Sequence, residues 1–160
     1  MTDAVRAEVL AVYAFADEAI RAAAPRCDAS GRCCRFTEYG HTLFISRFEA
    51  ELLLEAAPAY EQPVSRDGCP FQVNGLCTAR ETRPLGCRIY FCDPAFQDRM
   101  SEITETTIAA LKKIADAHST GWEYAPLHRF LNEPRAKTPE PTADSMTGPR
   151  VPLPVVHNSE

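Results

Sequence analysis

Between Cys69 and Cys92 the chain reads CPFQVNGLCTARETRPLGCRIYFC, and four of its seven cysteines fall there. The other three, Cys27, Cys33 and Cys34, lie in one short segment upstream. Nothing else in the sequence limits the fold so strongly, because an odd number of thiols cannot pair completely within one chain and disulfides rarely persist in a reducing compartment. A thiolate offsets its charge by binding a soft or borderline cation, and four of them complete either a tetrahedral zinc site or an iron-sulfur cluster. The two cysteine groups are therefore expected to face one metal centre.

A chain of 160 residues supports one domain with its own core. With 45% apolar and 24% charged residues the composition is globular. The net charge of −5 at pH 7 argues against nucleic acid as a partner, since binding to phosphate backbones needs an excess of Lys and Arg. No window approaches the roughly 18 apolar residues of a membrane span. Asp3, Glu8, Asp17 and Glu18 interrupt the first 25 residues, so no signal peptide is predicted and a cytoplasmic location is expected. The expected partner is a metal ion or cluster; no protein partner is indicated.

Val5, Val9, Val12, Ala16 and Ile20 recur at helical steps and predict an amphipathic helix over 3–23, capped by Thr2 or Asp3 and closed by Pro25. Ser30 and Gly31 predict a turn that lets Cys27 and the Cys33-Cys34 pair face a common point. In extended chain, adjacent residues project oppositely, so Cys33 and Cys34 are expected to differ in role. Residues 41–45 suggest a strand. Ser46 with Glu49 makes a capping box for a helix that Pro58 ends. Asn74-Gly75 predicts a hairpin that brings Cys69 and Cys77 together. Pro84 and Gly86 then redirect the chain beside Cys87. Asp93-Pro94 starts a long helix through Phe96, Ile103, Leu111 and Ile114, stopping near His118 with Gly121 as its stop signal. A last short helix is expected to carry Trp122, Tyr124, Leu127, Phe130 and Leu131. Residues 1–133 thus form a mainly α domain of about four helices, a short β-hairpin and irregular cysteine-bearing loops. The stretch 134–160 reads as a proline-rich disordered tail.

The central gaps of seven, nine and four residues lack the two-residue spacing of a zinc knuckle. A cubane accepts ligands from separate loops, so an iron-sulfur cluster, of the 4Fe-4S type, is favoured over Zn. Cys69, Cys77 and Cys87, joined by one of Cys27, Cys33, Cys34 or Cys92, are the expected ligands, and all seven thiols are candidates. Arg26, Arg32 and Arg35 bracket the first group and Arg80, Arg83 and Arg88 the second, where guanidinium charge would offset that of a thiolate-metal centre. Tyr90 and Phe91 are expected to cover the metal from water, and Asp93 to act as a cap rather than a base. His41, His118, His128 and His157 are scattered, and a phosphate loop, HExxH or nucleophile elbow is absent.

The CPF start at Cys69 to Phe71, Cys77 after a turn, and Arg83, Pro84, Cys87 and Arg88 as RP-x-x-CR, preceded by a segment ending in CC, resemble the YkgJ-type cysteine-cluster family, described as a zinc- or iron-chelating domain. The resemblance covers roughly residues 20 to 131. It implies metal chelation, and some relatives resemble this domain inside a flagellin lysine N-methylase. The family pattern usually has one more cysteine in its first group than Cys27, Cys33 and Cys34 supply. A zinc-binding structural or metal-handling protein, and a metal-dependent methyltransferase-like or redox enzyme, are the alternatives; whether the chain is an enzyme stays open.

Overall fold

Apolar residues from Val5 to Ile20 form helix α1, Asp3–Ala23, the first element of a computed structural model that describes residues 1–134. The predicted tail, with His157, lies outside the described residues from 135 onward. The Thr2 hydroxyl accepts from the Val5 amide at 3.3 Å, and Ala24 closes the helix in a left-handed conformation just before Pro25. The buried face of α1, with Val5, Val9 and Ala16, packs on helix α4, Gln97–Ala117, through Ile103, Leu111 and Ile114. A short helix α3, Leu85–Ile89, adds Leu85 and Ile89 to this core and touches both long helices.

A second core forms around strand β1, Phe44–Ser46, helix α2, Arg47–Ala56, strand β4, Tyr124–Pro126, and helix α5, Leu127–Leu131. Ile45, Leu53, Phe71, Phe130 and Leu131 are almost fully enclosed in it. β1 and β4 pair antiparallel, with Phe44 opposite Pro126 and Ser46 opposite Tyr124. Arg47 fastens this half together: its guanidinium donates to Glu123 at 2.7 and 2.9 Å and to Glu133 at 2.5 and 2.8 Å, and lies 4.7 Å over the Phe130 ring. The hairpin, β2 (Gln72–Val73) and β3 (Leu76–Cys77), turns through Asn74 and Gly75 at φ 51° and 78°, the positive values that Asn-Gly tolerates.

One carboxylate joins the two halves. Glu49 is 3% exposed and completes the predicted capping box with Ser46. Its Oε2 accepts from the Ser46 amide at 2.7 Å and hydroxyl at 2.8 Å, while its Oε1 accepts from the Leu85 amide at 2.9 Å. The start of α2 is therefore tied to the start of α3, two residues before Cys87.

The mainly helical reading holds, with five α-helices and a second two-stranded sheet beside the hairpin among the described residues. Three local expectations change. Trp122 and Tyr124 are not on the last helix: Tyr124 is in β4, and only Leu127–Leu131 are helical. Ser119, at φ 52°, takes the left-handed position immediately after the His118 cap, ahead of Gly121. Gly86, expected with Pro84 to redirect the chain beside Cys87, instead lies with Cys87 inside α3, and Pro84 is the N-cap of that helix, where a missing amide hydrogen removes nothing from it. Among the described residues, no helix is long and apolar enough to cross a membrane.

Candidate metal centre

The first cysteine segment is shaped by backbone conformations that few residues adopt. Ala29 and Gly31 have φ of 49° and 68°, and Arg32–Cys34 then form one 3-10 turn. In that turn successive side chains are not opposed as they are in extended chain, and the Cys33 and Cys34 sulfurs approach to 3.9 Å. The expectation that they project apart is corrected for this reason. About 3.8 Å is the edge of a tetrahedron built on Zn–S bonds of ~2.3 Å.

Three ties hold this segment against the second. The Cys69 amide donates to the Cys34 carbonyl at 2.9 Å, and the Gln72 side-chain amide to the Gly31 carbonyl at 2.9 Å. At the other end Asp93, capping the Ala95 amide as expected, also accepts from the Arg26 amide at 3.0 Å. The result is that Cys27, Cys33, Cys34, Cys77, Cys87 and Cys92 line one cavity of about 200 Å³. Cys69 is anchored at its edge through Cys34. A Cβ at Gly31 would lie 2.8 Å from the Gly75 carbonyl and press on Gln72. Gly31→Ala is therefore expected to destabilise the fold by about 1–3 kcal/mol, from a left-handed non-glycine residue and the lost docking of the hairpin. Thermal unfolding of the variant checks this, and an unchanged midpoint contradicts it.

Within the cavity the thiols influence one another. The contact with Cys34 comes first in holding the Cys33 thiol well above its ordinary range, ahead of burial. For Cys34 the contact with Cys33 acts downward, but contact with Cys69, burial and the charges of Cys69 and Cys77 outweigh it and push the thiol up to about 12. Cys87 is only half-buried by area yet densely surrounded: burial leads, and Cys34, Cys33 and Cys77 add to it, in raising its thiol. Cys33, Cys34, Cys69, Cys77 and Cys87 thus form an inner group. Burial, and after it the Cys92 thiol that Tyr90 meets, raises the Tyr90 phenol, and Cys27 is exposed at the rim. Burial and close thiol neighbours thus disfavour the thiolates, which a bound cation reverses, since coordination deprotonates a thiol outright.

The arginines divide into two kinds. Arg32, Arg80, Arg83 and Arg88 line the cavity, whereas Arg26 pairs with Asp28 and Arg35 with Glu38. Arg88 serves the fold, donating to Asp17 at 2.8 and 3.1 Å from above the Tyr13 ring. Arg83 is different: its Nε is buried without a hydrogen-bond partner among the described residues, and its charge favours ionisation of Cys33 and Cys87. A buried donor left unsatisfied is uncommon, and a thiolate-metal group would supply the missing negative charge. The donor set and this unsatisfied donor both fit a thiolate-bound metal. Among the described residues, no three His, Cys, Asp or Glu side chains are positioned to hold a single ion.

One residue not singled out by the sequence belongs here. His41 stacks on Tyr90 at 5.4 Å and its Nδ1 is buried without a hydrogen-bond partner among the described residues. Its ring also lies edge-on to Phe36 at 5.4 Å, and no local pattern marks its packing against Tyr90, which follows α3. The chain matches no family model, no curated protein and no solved structure.

Proposed function

We propose that the chain is a metal-binding protein, as the resemblance to the YkgJ-type family implies, and that its inner cysteines hold an iron-sulfur cluster. The observation that carries this reading is the convergence of six cysteines from two distant segments on one cavity, with the seventh bonded to its wall. What supports a cluster over a single ion is spacing. The thiols surround about 200 Å³ of space rather than closing on a point, and a cubane takes its ligands at separated corners. Cys69, Cys77 and Cys87 with Cys33 or Cys34 would be the ligands; Cys92 and Cys27 are spare. Bound there, the group would supply redox or Lewis-acid chemistry, while Arg83 offsets its charge and Tyr90 and Phe91 shield it from water.

Zinc is the second reading, favoured by the 3.9 Å separation of Cys33 and Cys34, which suits two ligands of one tetrahedral ion. In either case metal binding adds to folding stability, because the unfolded chain has no assembled site. Stripping metal with a chelator is expected to lower the melting temperature by more than about 10 °C, a loss of several kcal/mol at ~2–4 °C per kcal/mol. Restoring iron with sulfide, or zinc, should recover it. A midpoint that is the same with and without added metal counts against the proposal.

A further inference from the structure

The wall of the thiol cavity carries more positive charge than its own residues neutralise. Arg32, Arg80, Arg83 and Arg88 line it, and Arg88 is paired with Asp17. Arg32, Arg80 and Arg83 make no side-chain hydrogen bond or ion pair among the described residues, and Arg32 lies over the Tyr39 ring at 5.2 Å. Asp28 is the one acidic residue of the lining, and Arg26 holds it at 3.2 Å. The whole chain has 22 acidic residues against 17 Lys and Arg, so this local surplus runs against its composition.

These guanidinium groups are placed to meet a guest. Arg32 and Arg80 are exposed at the rim with Cys27 and Leu76, which leaves the cavity open to solvent on that side. The Arg83 Nε is enclosed, but its two Nη atoms, equally without a partner among the described residues, keep contact with solvent. Arg83 acts by its charge on Cys33 and Cys87, and Arg32 on the Tyr90 phenol, so the two face the cavity from different sides. Charge limits the guest. Four thiolates around zinc, or around a cubane core of charge about +2, leave a centre of about −2. Three unpaired guanidiniums exceed that by one. Like charges crowded into a half-buried wall repel, and one further negative charge balances them. A planar guanidinium fork matches a carboxylate through two parallel bonds, and Leu76, 64% exposed, offers with Phe91 an apolar side for a short carbon chain.

We propose that this arginine wall binds a small monocarboxylate at the mouth of the thiol cavity, between Arg32, Arg80 and Arg83. The site stands on the unpaired guanidiniums by themselves; its limit of one charge rests on the thiol-metal reading. A carboxylate held there lies beside the metal centre, so the wall selects which molecules reach it.

The test uses the full chain, stripped of metal under reducing conditions and in parallel loaded with it, and two probes of nearly equal shape, propionate and propionamide, at constant ionic strength. Side-chain Nε–H NMR signals of Arg32, Arg80 and Arg83 are followed during titration. In the stripped protein propionate is expected to shift them saturably, with propionamide at least about tenfold weaker because it lacks the charge. Arg83→Gln should weaken propionate by about tenfold, the loss of one charge-assisted pair, read at the other two arginines. Should that variant not fold, Arg80→Gln, at an exposed side chain, weakens propionate as well. Arg99→Gln removes the same charge from an exposed position paired with Glu102 on α4, and should leave propionate binding unchanged.

Absence of saturable shifts with propionate in the stripped protein overturns the proposal, as does equal binding of propionamide, or a loss in Arg99→Gln as large as that in Arg80→Gln. Loading with metal is expected to weaken propionate by about tenfold, since the negative charge of the centre then shares the wall; equal affinity in both forms overturns adjacency to the centre. In the loaded protein, inorganic phosphate binding more tightly than propionate overturns the limit of one charge. If the chain takes up no metal at all, the reading of the thiols fails, while propionate binding in the stripped protein still decides the arginine site.

Discussion

Replacing Glu49 by Ala is expected to destabilise the domain by about 3–5 kcal/mol, because it leaves the Ser46 amide, the Ser46 hydroxyl and the Leu85 amide buried without their acceptor. Glu49→Gln should not rescue it: one amide oxygen cannot serve donors on both sides, and the new NH2 group faces donors rather than acceptors. Denaturant unfolding measures both variants. Burial is the leading influence on Glu49 and holds its carboxyl above the ordinary 4.5. The sign follows from linkage: relative to Gln, the stability Glu49 contributes is fully present below pH 4.5 and declines as pH rises through its folded value. The difference between wild type and Glu49→Gln should therefore narrow over that window. A Glu49→Ala loss under about 1 kcal/mol would mean that water or a shift of α3 replaces the carboxylate.

The second large effect is expected at Cys87, which lines the thiol cavity, two residues after the Leu85 amide that Glu49 holds. Cys87→Ala should weaken metal binding by more than about 100-fold, beyond the range seen when only an outer partner of a ligand is changed. Cys27→Ala is the control. The thiol of Cys27 is exposed at the rim and outside the inner group, so that variant should keep its metal. Metal per chain, measured after equilibrium with a competing chelator, separates the two; equal retention by both variants contradicts the division into inner and rim thiols.

The parts of the fold legible in the sequence are those set by physics within a few residues. Ser46 and Glu49 announce a capping box because the i to i+3 geometry satisfies two orphan amides locally. Asn74-Gly75 announces its turn because both positions tolerate positive φ. The five-residue helix around Cys87 was hidden for the opposite reason: two turns at most carry no periodicity, and its start is fixed by Glu49, 36 residues away. The β1-β4 pair joins Phe44 to Pro126 across most of the domain, and three-residue strands leave little alternation to read.

The candidate site divides along the same line. Cysteine type and count raise the expectation of metal from composition alone, since few other arrangements use so many thiols. That Cys33 and Cys34 share a side depends on the 3-10 turn after Gly31. Which arginines face the thiols was not readable: Arg88 braces Asp17, while Arg83 keeps a buried Nε that has no hydrogen-bond partner among the described residues. His41 was not legible at all, because an unsatisfied imidazole nitrogen is a property of the packed neighbourhood.

The most direct measurement of the central claim is iron, acid-labile sulfide and zinc per chain, with the visible spectrum, on protein purified without oxygen. The account predicts a brown protein with iron and sulfide in equal amounts, about four of each for a cubane. A colourless protein with about one zinc would move the assignment to the tetrahedral site that Cys33 and Cys34 suggest. A colourless protein holding neither iron nor zinc, and taking up neither when supplied, would contradict it.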